Sequence, residues 1–325
     1  MRRFLLMICF AIGGFFASGS GVSALHAGSY PEYSIQVIIP GAPGDALDMA
    51  ARPVCEELAK ILKAQVVPMN KPGAGGVMGT AAAVGAKKDG YTILYGNTSG
   101  MVYGPAFNPK DAPYNPIQDL DPLGLHTFFP DGISVQTESP WKDFQTVIEY
   151  AKKNPGKFRV GTLGMGSRNH FLLEMIKTLT GAELAMIPFK GASPALTAVL
   201  GGHIEAAFVA FGMVYPHYES GKLKGILADQ KVAALPNIPV LTQLGYKQDL
   251  PGTYFGFSAP TGIPEEAKKI LIPAIEKAAR DPELIEKLSK MWFVPNYKPP
   301  AEYKRMLTRD YESACSIVKT MKVDN

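Results

Sequence analysis

Three stretches of small residues could do chemistry in this chain, and each stands between a short β-branched or apolar run and the start of a helical pattern. They are residues 40–45 (PGAPGD), 161–167 (GTLGMGS) and 190–194 (KGASP). The first N–H groups of a helix have no partner within the helix, and its dipole is positive at that end, so such a place attracts anions. Glycine lets a carboxylate come close to the backbone without a side chain in the way. Loops of this kind on two lobes would make a cleft that clamps a small carboxylate. Taken alone each loop is also an ordinary turn of an α/β protein.

The polar residues near these loops have plainer readings as well. Asp45 and Asp48 are spaced as a helix start, with Asp45 as N-cap and Asp48 three residues on. Asp48 and Arg52, four apart, can pair along a helix. Arg168 stands at a loop tip, either solvated or paired with a second ligand carboxylate. His170, just after Asn169 at a helix start, reads as a hydrogen-bonded structural residue rather than a base. An enzyme would need a nucleophile, a base or a metal. Ser167 sits in GMGSR and not in a G-x-S-x-G elbow. The loop 73–76 (GAGG) lacks G-x-G-x-x-G spacing because Met78 stands where the last glycine belongs, and no Walker lysine follows. Neither a C-x-x-C pair nor a His/Cys metal spacing occurs, so no cofactor or metal is expected. A secreted cleft hydrolase or isomerase acting on a small carboxylate stays as the alternative.

The elements that must position these loops alternate. Strands are expected over 35–39, 65–68 and 91–95, with helices over 48–62 and 77–86 between them. Residues 105–122 hold five prolines and read as an irregular connection. A second alternating unit follows, with helices over 144–153, 169–180 and 194–200 and strands over 158–162, 183–188 and 204–209. A strand over 255–259 then leads to helices over 264–279, 282–291 and 300–319. The expected fold class is α/β, a two-lobed periplasmic binding protein of type II-like form. Each lobe is a mixed sheet flanked by helices, and the ligand cleft lies between them. The C-terminal helices have no new unit to join and should return to the first lobe. Lobe 1 is therefore expected over 28–126 plus 255–325 and lobe 2 over 127–254, with hinge strands at 122–126 and 254–257.

Residues 1–27 read as a signal peptide. Arg2 and Arg3 precede an apolar stretch over 4–17, and small residues allow cleavage after Ala24 or Ala27. The formal net charge of +4 loses two with Arg2 and Arg3, which leaves too little to argue for nucleic acid. The mature chain keeps Cys55 and Cys315, read as buried free thiols although an oxidising compartment would permit a disulfide.

Several segments in order carry a resemblance. They are Tyr30-Pro31, IIPGAPGDALDMAAR at 38–52, NKPGAGGVMG at 70–79, KKDGYTILYGN at 87–97, LGMGSRNHFLLE at 163–174 and PFKGASPALTAVLGGHIEAAF at 188–208. Together they resemble the Bug-type (TctC-like) periplasmic substrate-binding subunits of tripartite tricarboxylate transporters. The resemblance implies a monomeric, non-catalytic receptor that hands a small carboxylate to membrane permease subunits. By position it implies first-lobe contacts at Ala42, Gly44 and Asp48, with Asp45 and Asn97 beside them. It implies second-lobe contacts at Gly166, Ser167 and His170, and at Ala192 and Pro194 of the third loop, while Arg168 of this chain could pair with a second carboxylate and would favour a diacid. This chain departs from the family where Gly41 replaces an aromatic residue and Asp45 a glycine. It departs again where Val209 stands near the acidic position of amino-acid binders, and with Phe211 and Met213 this would make the far wall apolar. The identity of the carboxylate stays open.

Overall fold

The computed structural model describes residues 30–164, 167–189 and 191–320. The expected signal peptide and the expected contact Gly166 lie outside the described residues. Strand β1 (Ile35–Ile39) is followed by α1 (Ala46–Leu62), β2 (Val66–Asn70), α2 (Val77–Val84), β3 (Thr92–Asn97) and a short α3 (Gly104–Phe107). Then come β4 (Leu120–Phe129), β5 (Asp131–Gln136), α4 (Phe144–Lys153), β6 (Phe158–Thr162), α5 (Arg168–Thr180), β7 (Leu184–Pro188) and α6 (Ala192–Leu200). The chain continues through β8 (Ala206–Ala210), α7 (Phe211–Glu219), β9 (Leu223–Ala228) and β10 (Thr253–Pro260). It closes with α8 (Glu265–Ala279), α9 (Pro282–Lys290), β11 (Val294–Lys298) and α10 (Pro300–Thr320).

These strands form two sheets, ordered β11-β4-β10-β3-β1-β2 and β7-β6-β8-β5-β9. In the first sheet β1 runs parallel to β2 and β3, while β10 is antiparallel to both β3 and β4. In the second, β6 is parallel to β7 and β8, and β5 is antiparallel to β8 and β9. The two-lobed mixed-sheet architecture expected from the sequence is present.

The directions of the strands decide where the loops go. Two antiparallel steps make β4 run the same way as β3, so Phe129 ends at the sheet edge where Ile39 and Asn97 also end. Only Pro130 separates it from β5, whose first residue Asp131 pairs with Ala210 at the carboxyl end of β8. The carboxyl edges of the two sheets therefore face each other across a one-residue crossing. The loops after β1 and β3 lie on one side, and those after β6, β7 and β8 on the other. The chain returns from Asp229 and re-enters the first sheet at Thr253, again at this edge.

Burial explains the helix packing. One face of the first sheet packs on α1 and α8, with Val54, Leu58, Leu271 and Ile275 buried against Val37 and Phe257. The far face of the second sheet packs on α6 and α7 through Val199, Val214 and Val209. A third cluster belongs to both lobes. It runs from Leu94 through Tyr103 to Phe171 and Phe158, and the Tyr103 and Phe171 rings meet at 4.9 Å.

Several expectations change. The proline-rich stretch contains α3 and the start of β4, because Pro105 opens a helix at a first-turn position where its missing N–H costs nothing. Strands β5, β9 and β11 and helix α7 were not expected. Strand β4 passes through the 126/127 limit and stays in the first sheet to Phe129. Residues 122–126 and 254–257 are paired inside that sheet, so the crossings fall at Pro130 and over 229–252. Cys55 is buried and Cys315 half-buried, and both are free thiols.

Candidate functional site

The first loop is held from beneath by Asp48. Its carboxylate accepts the Gly44 N–H at 2.8 Å, the Arg52 Nε at 2.9 Å and the Asn70 Nδ2 at 2.9 Å. Asn70 also donates to the Gly41 carbonyl at 3.1 Å. Only 3% of Asp48 is exposed. Burial works against its charge, but the bonds from Arg52, Gly44 and Asn70 together overcome this and lower its pKa. Asp48 is thus a strut of the loop, and it also occupies the N–H of Gly44, a residue that the family resemblance implies as a ligand contact. Asp45 caps α1, accepting the Asp48 N–H at 2.9 Å. Burial raises its pKa, helped by the neighbouring Asp48 charge. Ala42 and Gly44 are exposed at the loop surface, and Gly44 has φ +80.

Asn97 ends β3 and accepts the Gly100 N–H at 2.9 Å. The glycine-rich turn before α2 packs beside it, since a Cβ on Gly76 would lie 3.1 Å from Asn97 Oδ1 and 3.2 Å from the Pro40 carbonyl. This turn therefore joins the first loop and Asn97 at one edge. Its signal in the sequence is the glycine run directly before a helix.

On the second lobe Ser167 caps α5 by accepting the His170 N–H at 3.2 Å, and its own N–H donates to the Gly164 carbonyl at 3.3 Å. Ala192 opens α6 half-buried, and Pro194 is exposed in its first turn. His170 is turned inward against Phe107 of the first lobe, with ring centroids 6.2 Å apart, and burial lowers its pKa. Four apolar side chains are exposed where helices start at the facing edges: Met49 and Met78 on one lobe, Leu163 and Met213 on the other.

Two expected site residues are elsewhere. Arg168 is no loop tip: it is 4% exposed, with Nη1 at 2.6 Å from Asp131 and Nη2 at 2.7 Å from Asp229. Its neighbours neutralise it inside the protein, so it is not available to a second ligand carboxylate. Val209 is fully buried in the middle of the α6–α7 core, as is Phe211, and neither forms a cleft wall. Of the three residues expected there, Met213 alone is exposed. A separate groove, lined by Arg52, Cys55, Glu56 and Val66–Pro68, lies between α1 and the edge strand β2, away from the facing edges.

Proteins of this two-lobed construction are known. The model of the tripartite tricarboxylate transporter family receptor matches residues 50–323. The chain belongs to this family. It is 29% identical to the protein BugT of Bordetella pertussis over 313 residues, covering 95% of this chain and 96% of that protein. A TctC solute-binding protein from Polaromonas has a solved structure that is 28% identical to this receptor. It superposes with a TM-score of 0.80 over 90% of this chain and all of that one (100%). MatC from Rhodopseudomonas palustris, solved with bound malate, shares the fold at 24% identity and a TM-score of 0.71, covering 89% of this chain and 100% of that one. The family is one of solute-binding receptors rather than enzymes, and the chain is a solute-binding receptor of that kind. Among the described residues no helix is long and apolar enough to cross a membrane.

Proposed function

We propose that this chain, exported by residues 1–27, works in the periplasm as a monomeric receptor. It closes on a small organic carboxylate and delivers it to the permease subunits of a tripartite transporter. The observation that carries the reading is the pair of facing carboxyl edges joined at Pro130, each lined by small-residue loops and helix starts. One carboxylate of the ligand meets the first loop at Ala42 and the α1 start, beside Asn97. The opposite end meets Ser167 and the α5 start, with Ala192 and Pro194 closing the third side. Asp48 acts by holding the first loop in place. Asp45 sets a negative or protonated group beside the anion site, which suits a ligand hydroxyl or amine. The malate held by MatC supports a carboxylate as the ligand class. Closure about Pro130 and the 229–252 return excludes water and strengthens these contacts.

The test is a thermal-shift screen of the mature chain against mono-, di- and tricarboxylates, amino acids, sugars and metals. A ligand at a hundred times its dissociation constant adds about 2.7 kcal/mol of stability. Stabilisation by a carboxylate recovered unchanged supports the receptor. Stabilisation by a sugar or metal alone refutes the carboxylate cleft, and consumption of the carboxylate would replace receptor with enzyme.

A further inference from the structure

We propose that Arg168 is a positioning residue of the hinge, one that ties the ligand-facing start of α5 to both chain crossings between the lobes. The inference rests on the receptor reading above. Arg168 is the first residue of α5, directly after the Ser167 cap. Its Nη1 holds Asp131, the residue that follows the outward crossing at Pro130. Its Nη2 holds Asp229, which begins the return segment, and also donates to the carbonyl of Pro251, just before β10. One guanidinium thus bridges the helix start, the outgoing crossing and both ends of the return. Asn169 reinforces this by donating to Asp131 at 3.3 Å and to the Phe208 carbonyl at 3.0 Å.

The chemistry of the residue fits this task. A planar fork of five donors spread over three nitrogens can reach acceptors on separate segments at fixed angles, whereas the three donors of lysine all leave one nitrogen on a flexible stem. Stability alone does not account for the cluster, because taking three charges out of water costs about as much as their attraction returns. The cluster also sets two carboxylates against one guanidinium, and among the described residues no side chain or backbone group hydrogen-bonds Arg168 Nε, Asp229 Oδ1 or Gln230 Nε2. Polar atoms of this kind are rare in a settled core. Movement of the α5 start when ligand seats there would then be passed to both crossings together.

The test uses the mature chain in a Trp141→Phe background, so that Trp292 is the remaining tryptophan. Trp292 lies between α9 and β11 of the first lobe and packs on Tyr215 of α7, with centroids 4.0 Å apart. Its emission therefore reports the lobe contact without any ligand. Arg168→Lys is expected to fold, to shift Trp292 emission to longer wavelength and to raise the radius of gyration in solution scattering. Arg168→Met should do the same more strongly. A lower melting temperature with both readouts unchanged would make Arg168 merely structural and overturn the proposal. Native-state hydrogen exchange on the unsubstituted chain guards against variants that do not fold. The hydrogen-bonded amides of Phe171, Phe211 and Asp229, which donate to the carbonyls of Ser167, Pro130 and Asp131, should open in one cooperative step, and independent opening refutes the coupling. Failure of the receptor reading looks different: no carboxylate stabilises the chain, while the scattering and exchange results are unaffected.

Discussion

Replacing Asp48 by alanine tests whether this carboxylate is a strut or a ligand contact. The substitution removes the acceptor for Gly44 N–H, Asn70 Nδ2 and the Arg52 guanidinium. The Arg52 side chain is 46% exposed, so that pair contributes only about 0.5 kcal/mol. Gly44 is exposed and its N–H can turn to water, leaving the bond from half-buried Asn70 as the larger loss. Together the loss comes to about 2 kcal/mol, while the α1 cap on Asp45 remains. The pH dependence has a definite sign. Asp48 has its pKa lowered in the folded chain, so it contributes stability above the ordinary carboxylate range that is lost as pH falls through its folded pKa. Urea unfolding between pH 3 and 7 should therefore show a lower midpoint at neutral pH, an unchanged slope and a shallower acid limb in the variant. Equal acid limbs in the two proteins, or a neutral-pH midpoint that does not move, would refute the strut.

Three further outcomes follow from the geometry. Gly44→Ala should cost about 1 kcal/mol through its left-handed backbone alone, since nothing lies within 4 Å of the added Cβ, and urea midpoints will show it. Phe171→Ala, at the apolar contact between the lobes, should lose about 3–5 kcal/mol in the same assay. Burial outweighs Arg168 at Asp229 and pushes its pKa up to about 7, with the Asp131 charge adding to the rise. A raised carboxyl favours the folded state fully below its unfolded pKa and loses that advantage as pH rises through about 7. Stability of the unsubstituted chain should fall over that window, and Asp229→Asn should flatten the fall. Arg168, Asp131 and Tyr103 face the group and stay unchanged in that variant.

Periodicity and loop chemistry were enough to place β1, α4 and β6 at their observed limits, because each has a clear apolar pattern and a stop signal. Strands β5 and β9 are not legible because their partners are distant in sequence, and in β9 Lys224 and Gly225 interrupt the apolar run. Asp45 was legible as a cap, since Asp before an apolar helical face has few other uses. Arg168 was not. It follows the turn-like run Gly164-Met165-Gly166-Ser167, and the acids that bury it arrive from 37 and 61 residues away. The same holds for Val209, whose flanking residues cannot tell which side of a sheet lies inward when both sides are covered.

The apolar cluster running from Leu94 through Tyr103 and Phe171 to Phe158 has a consequence for how the molecule comes apart. Two-domain chains often melt in steps, because each half keeps its own interior. Here neither half has a complete interior without the other. Splaying the lobes would wet Tyr103 and Phe171 and cost the energy of a core, so the working motion is confined to a pivot that keeps those rings together. The same shared interior joins the two halves into one cooperative unit on heating, and a chain that has lost either lobe should fail to hold the other in its native form.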